Sequence, residues 1–227
     1  SSIWTIRISS LILEGNEGTT ELDSHADTSV VGRNALILHD FERPVRVTGY
    51  DLSHGTRTYK TVLAAICYTH YQDGRPMILV VHQAIHMPNL GHNLLCPMQL
   101  RENDVEVNEV PKYLSKNPTD EIHAIVLTRP EDQERLIIPL SLKGVTSYFP
   151  TRKPTQQEYE AAARDNEVWE LSYETPDWDP SSERFAQQEE EMLDPNGHVN
   201  DRTRPSMTHI WSIETSAHET MERFDQS

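Results

Sequence analysis

The chain has 227 residues, a formal net charge of −16 and a mean hydropathy of −0.62. This acidic excess repels nucleic acid phosphates, so we expect no direct nucleic acid binding by this segment. No apolar run is long enough to cross a bilayer, which predicts no membrane partner, and the Ser1 start without Met or a signal-peptide pattern is typical of a piece cut from a longer polypeptide.

Charge and cysteine are unevenly placed. Residues 1–105 hold 8 Lys and Arg against 11 Asp and Glu, a net of −3, which leaves −13 for residues 106–227. The two cysteines, Cys67 and Cys96, lack Cys-x-x-Cys spacing, so neither a disulfide framework nor a zinc knuckle is indicated. A reducing compartment fits this usage, and we expect no metal and no cofactor.

The first half of the chain is predicted to be a series of β-strands. β-branched and aromatic residues favour a strand pair within residues 3–13, and a turn at 15–18 leads into the next strand at 19–23. Alternating or continuous apolar runs predict further strands at 30–31, 35–38, 44–50, 56–62, 64–68 and 77–81. The polar link at 51–55 is expected to be a hairpin tip.

The second half is less apolar. After Gly91 we expect a short helix from about Leu94 to Glu102, then an edge strand at 105–110 and a hairpin formed by residues 122–128 and 135–142. The Thr155-x-x-Glu158 pattern of a capping box predicts a helix from there to about Leu171. From Ser172 onward the composition favours disorder with transient helices, for example Ser182 to Met192.

Two short motifs stand out within the first half. Leu22 ends an apolar strand pattern, and Asp23-Ser24-His25-Ala26-Asp27 follows where that strand should turn into a loop. A lone Asp-Ser pair usually indicates only a turn, because both side chains bond to their own backbone. The second motif is Gly91-His92-Asn93-Leu94-Leu95. Because both motifs occur in one chain and in the order of a known pattern, a simple turn at Asp23-Ser24 does not explain them.

Together these motifs resemble those of the retropepsins, the homodimeric aspartic proteases of retroviruses and retrotransposons. The string from His86 to Leu100 is similar in particular to copia-type retrotransposon polyproteins. The resemblance implies an all-β, retropepsin-like closed β-barrel with one short helix, followed by a hairpin linker and a largely disordered acidic tail. The implied domains are a protease domain at 1–110, a linker at 111–150 and a tail, partly helical or disordered, at 151–227.

The resemblance also implies a function. The chain would be an aspartic endopeptidase that cleaves a polyprotein, and as only one such motif is present, Asp23 of two subunits would form the catalytic pair in a homodimer. Ser24 would bond across the two-fold axis. Substrate contacts would come from His25, Ala26 and Asp27, and from a mobile flap with these tip residues: Ser53, His54 and Gly55.

Two of these assignments have simpler alternatives. The hairpin with its tip at 51–55 could be an ordinary exposed hairpin. The strand at 105–110 would interleave with a partner subunit in a retropepsin, but it could equally pair within one subunit. The copia-type resemblance places the protein in the cytoplasm, in a virus-like particle.

His25 departs from the family pattern, which has Gly there, where backbone must approach a ligand or another chain. The side chain could be tolerated, could crowd the catalytic pair, or could act on it as a nearby cation at mildly acid pH. We favour crowding. The alternative function that follows is a catalytically impaired, retropepsin-like dimerisation or spacer module of the polyprotein.

A metallopeptidase is the main chemical rival. His82 and His86 have the spacing of the His-Glu-x-x-His motif, but Gln83 replaces the Glu that acts as general base, and the preceding apolar residues favour a strand where the motif needs a helix. No Gly-x-Ser-x-Gly motif of a serine hydrolase is present.

Overall fold

The computed structural model describes residues 18–48 and 56–199. Within them lie twelve β-strands, three α-helices and a 3-10 turn at Lys112–Leu114. The strands are β1 (Thr19–Leu22), β2 (Val30–Val31), β3 (Leu36–Thr48), β4 (Thr56–Thr69), β5 (Pro76–His86), β6 (Asn93–Leu95), β7 (Glu106–Glu109), β8 (His123–Thr128), β9 (Arg135–Pro139), β10 (Ser141–Lys143), β11 (Thr146–Pro150) and β12 (Val168–Glu170). The helices are α1 (Pro97–Arg101), α2 (Gln156–Arg164) and α3 (Arg184–Glu191).

The expected β-rich fold is confirmed, but the closed barrel is wrong. Nine strands form one mixed sheet in the order β10-β11-β1-β6-β2-β5-β4-β3, with β12 also paired to β5. The end strands β10 and β3 are not paired with each other, so among the described strands this sheet stays open. The predicted hairpin of β8 and β9 forms, and with β7 it makes a separate three-stranded sheet.

The two sheets share one apolar core. Side chains of the large sheet, such as Ile66, Leu79 and Leu95, pack in the same buried cluster as Ile125 and Ile138 of the small sheet. Burying these faces against each other is the main favourable contribution to folding. On its other side the large sheet is covered by α2, whose Tyr159 and Ala162 pack on residues of β4 and β5.

The long hairpin of β3 and β4 matches the predicted strand pattern. The two strands pair antiparallel from Leu36↔Ala65 to Thr48↔Thr56, with irregularities that accommodate the positive φ of Glu42. The predicted strand pair at 3–13 and the hairpin tip at 51–55 both lie outside the described residues.

The helix after Gly91 starts later than the sequence indicated. Leu94 and Leu95 belong to β6, because they pair with β1 in the sheet interior, and α1 begins at Pro97. Proline is favoured in the first turn of a helix, where its missing N–H has no partner to lose. The backbone N–H of Gln99 donates to the Cys96 thiol, which caps the helix.

Residues 151–199 are more ordered than their composition indicates. The capping box of Thr155 and Glu158 is confirmed, but α2 ends at Arg164 and the chain then enters β12, which pairs parallel with β5. Trp169 and Leu171 are buried in the core, and Ser172 and Trp178 bond to β5, so the disorder expected from Ser172 is not found in residues 172–178. The large sheet thus draws strands from all three predicted domain segments.

A first compact unit ends at Pro180 and a second begins at Ser181. In the second, α3 coincides with the helix expected between Ser182 and Met192, and Leu193 forms a bridge with Val199. None of the helices in residues 18–48 and 56–199 is long and apolar enough to cross a membrane.

Candidate active site

The Asp23 loop, residues 23–29, connects β1 to β2. Strand β6, from the second motif, lies between these two strands: it runs parallel to β1 and antiparallel to β2. The backbone N–H of Asp23 donates to the Leu95 carbonyl at 3.0 Å, so the loop leaves the sheet at Asp23 itself. The two motifs are far apart in sequence, but the strand of the second motif pairs with both strands that flank the loop of the first.

The Asp23 carboxylate is held by a tight turn. The backbone N–H of His25 donates to Asp23 Oδ1 at 2.9 Å, and the N–H of Ala26 donates to the Asp23 carbonyl at 3.1 Å. The Asp23 side chain is only 11% exposed, whereas the neighbouring Ser24 is exposed. A carboxylate of fixed orientation thus lies largely covered, next in sequence to the exposed Ser24.

His25 points mostly into solvent. Its side chain is 79% exposed, and its Nδ1 atom lies 3.9 Å from Asp23 Oδ1. At this distance a protonated imidazole would attract the carboxylate, because the separation is at the limit of an ion pair. The ring therefore stands beside the carboxylate rather than buried beneath it.

Helix α1 and its N-cap hold Ser29, the last residue of the loop. The backbone N–H of Ser29 donates to Gln99 Oε1 at 2.9 Å, and the Ser29 hydroxyl accepts from the N–H of Cys96 at 3.0 Å. All three residues are buried. Because a buried polar group without a partner is costly, these bonds fix the loop on the helix start.

A second buried polar group, at Asn93, bonds to residues on either side of the loop. Its Oδ1 accepts from the N–H of Gly32 at 3.0 Å, and its Nδ2 donates to the Thr20 hydroxyl at 3.1 Å. The Thr20 hydroxyl also bonds to that of Thr151 at 2.8 Å. A Cβ on Gly32 would lie 2.3 Å from the Leu90 carbonyl oxygen, so only glycine lets the two motifs approach this closely.

The outer end of the loop is contacted by residues that the sequence did not indicate. The indole N–H of Trp178 donates to the Asp27 carbonyl oxygen at 3.0 Å and to the Thr28 hydroxyl at 3.1 Å. Trp178 stands in an acidic stretch of low apolar content, so no periodicity marks it. A large aromatic residue in such a stretch was the only signal available.

The other predicted site residues are distributed as follows. Ala26 is buried, Asp27 is exposed, and the predicted flap-tip residues lie outside the described part of the chain: Ser53, His54 and Gly55. Strand β7 pairs with β8 of the same chain, which is the second alternative for this strand.

His82 and His86 lie on strand β5, so the helix that the metallopeptidase motif needs does not form. His82 Nε2 is 3.0 Å from a Glu170 carboxylate oxygen. In the described residues, no group of three His, Cys, Asp or Glu side chains is placed to hold a metal ion.

The nearest thiol is unsuited to nucleophilic catalysis. Burial raises the pKa of Cys96, and the negative charges of Asp27 and Asp23 raise it further. A thiol must ionise to act as a nucleophile, and burial disfavours that form. Cys96 therefore offers this loop no nucleophilic thiol.

Comparisons with protein-family models, with curated proteins and with solved structures find no match to this chain.

Proposed function

We propose that this chain is an aspartic endopeptidase that processes a retrotransposon polyprotein. The observation that carries the proposal is the position of Asp23, at the end of β1 on a tight turn, with β6 of the second motif between the two strands of the loop. A rigid loop that presents a carboxylate suits acid–base chemistry on water, because the reacting atoms need fixed geometry.

The proposed mechanism requires two such carboxylates. Two aspartates held close together share one proton, since both cannot ionise, so one takes a proton from water while the other polarises the scissile carbonyl. The sequence has one Asp-Ser-x-Ala motif, at Asp23. The second carboxylate would come from Asp23 of a second subunit, in a homodimer, with Ser24 bonding across the two-fold axis.

The substrate would be an extended segment of the polyprotein, bound along His25, Ala26 and Asp27 and covered by the hairpin that β3 and β4 begin. No cofactor takes part in this mechanism. The proposed location is the cytoplasm, within a virus-like particle.

The test is processing of the flanking polyprotein by wild type and by Asp23→Asn. We expect the variant to abolish cleavage while it leaves folding intact, since Asn has nearly the same shape. Asp120→Asn, at an exposed carboxylate in a loop, is the matched control and should cleave as wild type does. Activity per chain should also fall on dilution, and a monomer with undiminished activity would refute the dimeric mechanism.

The second candidate is a catalytically impaired dimerisation or spacer module. It is favoured by His25, whose ring stands 3.9 Å from the Asp23 carboxylate where the family has no side chain. If the ring crowds the pair, His25→Gly should raise peptide cleavage several-fold with little change in the pH profile. If its charge acts on the pair, the profile should shift. Loss of all activity in His25→Gly would contradict both explanations.

A further inference from the structure

The Asp23 loop and the segment 172–178 meet on one edge of strand β5. Because β4 pairs along the other edge of β5, both β2 and β12 must occupy this one. The N–H of Ile85 donates to the Ser29 carbonyl at 2.9 Å, and the N–H of His82 donates to the Ser172 hydroxyl at 2.9 Å. Gln83 and Ala84 lie between these two contacts.

The Gln83 side chain forms its hydrogen bonds with the backbone of residues 173–178. Its Nε2 group lies 3.0 Å from the carbonyl oxygens of Tyr173, Glu174 and Pro176, and its Oε1 accepts from the N–H of Trp178 at 2.7 Å. Gln83 is only 8% exposed and has a φ of 55°, a conformation that non-glycine residues rarely adopt. The strand therefore departs from regular geometry at the residue that binds the segment.

Two side chains of the segment add contacts. The indole of Trp178 bonds to Asp27 and Thr28 of the loop, and the Asp177 carboxylate lies 3.0 Å from Arg43 on β3. Hydrogen bonds to the backbone of a peptide, with selectivity from a few side chains, recur in peptide-binding sites. The geometry thus has the features of a peptide site with an occupant in place.

We propose that Gln83, Arg43 and the Asp27–Thr28 end of the loop form a peptide-binding subsite, occupied in cis by residues 173–178. Its ligand class is a short, bent peptide with an acidic residue directly before a tryptophan, like residues 173–178 themselves, which bend at 174–176. In so far as this subsite serves the peptidase substrate, the inference rests on the proposed function. A tethered segment acts at an effective concentration on the order of 1 mM, so it would compete with any peptide that arrives from solution.

The test is binding of a fluorescent peptide of residues 172–180 to the full chain. Wild type should bind it weakly, and the double variant Asp177→Asn/Trp178→Ala, whose own segment is weakened, should bind it about tenfold more tightly. A peptide that carries the same two substitutions is the matched control and should not bind. Equal binding of both peptides, or equal affinity of wild type and double variant for the native peptide, would overturn the proposal.

A second measurement covers the case in which the double variant fails to fold. Asp177→Asn alone alters side chains that are mostly exposed, at 69% for Asp177 and 61% for Arg43, so this variant should fold. Hydrogen exchange of the amides of residues 173–178 should then be several-fold faster than in wild type, with unchanged exchange in β4. Unchanged exchange in the segment would count against the subsite.

The two proposals can fail separately. Peptide binding needs no catalysis, so it should persist when Asp23→Asn is added to the double variant. If that protein binds the peptide but the form with Asp23 cleaves nothing, the subsite stands and the peptidase does not. If cleavage depends on Asp23 but the peptide neither binds nor inhibits, the peptidase stands and the subsite is wrong.

Discussion

The inner face and the outer end of the Asp23 loop are held in different ways. The inner face, taken together with the residues that flank the loop, rests on buried groups of residues 90–99: Gln99 accepts from Ser29 of the loop, and Asn93 bonds to Gly32 and Thr20 on either side of it. The outer end is bonded by Trp178, a partly exposed contact from the tail. The difference teaches that the inner contacts are enclosed within the fold, whereas the outer ones are those that the proposed exchange of peptides would break.

Gly32→Ala should break the inner face with the largest effect. The new Cβ would lie 2.3 Å and 2.5 Å from the backbone oxygens of Leu90 and His92, which cannot move aside as a side chain can. We expect a loss of more than about 3 kcal/mol in the free energy of unfolding, measured by urea denaturation. Gly74→Ala, in open space, is the control and should lose about 1 kcal/mol from its positive φ. Similar losses in both would show that the close approach is unimportant.

Asn93→Ala should have the next largest effect. It would leave the buried Gly32 N–H without its acceptor and the Thr20 hydroxyl without one donor. Unfolding by urea should show a loss of about 2–4 kcal/mol. Asn34→Ala removes bonds from a half-buried amide to Thr151 and should lose about 1 kcal/mol. An Asn93→Ala protein as stable as the Asn34→Ala control would contradict a special role for the inner face.

Ser172→Ala tests whether residues 172–178 can loosen from β5 while the inner face of the loop stays intact. The hydroxyl accepts from the His82 N–H and donates to the His82 carbonyl, and Ser172 is buried. We expect a loss of about 1–2 kcal/mol, with faster amide exchange in residues 172–178 but not in β6. Faster exchange in β6 as well would mean that the two ends of the loop are coupled.

The smallest expected effect concerns pH and helix α2, which precedes β12. The hydrogen bond from Arg152, with those from Thr155, lowers the pKa of Glu158 from 4.5 to about 2. Because the pKa is lower in the folded state, this stabilisation is present above pH 4.5 and is lost as the pH falls toward 2. Solvent screening limits it to less than about 1 kcal/mol.

Glu158→Gln sharpens that prediction, since Gln can still complete the capping box but carries no charge. The free energy of unfolding of the variant should depend less on pH between 4.5 and 2 than that of wild type. Parallel pH curves for the two proteins would show that the Arg152 pair contributes nothing measurable.

The sequence alone predicted features that depend on neighbours along the chain. Apolar alternation located β3, β4 and the β8–β9 hairpin, and the pattern Thr155-x-x-Glu158 located the start of α2. The Asp23 motif was placed correctly at the end of a strand, because a polar pair after an apolar run marks the point where the chain leaves the sheet.

Tertiary structure decided which strands pair, because the local sequence pattern carries no information on the partner of a strand. Leu94 and Leu95 suit a helix or a strand equally by periodicity, and their place beside β1 and β2 made them a strand. The choice of strand partners also decided the shape of the sheet. Strands β11 and β10 extend it beyond β1, and β10 does not pair with β3, so the described strands form no closed barrel. The contact of Trp178 with the Asp23 loop joins residues 150 apart, and it depends on Gln83 and β12 to bring them together.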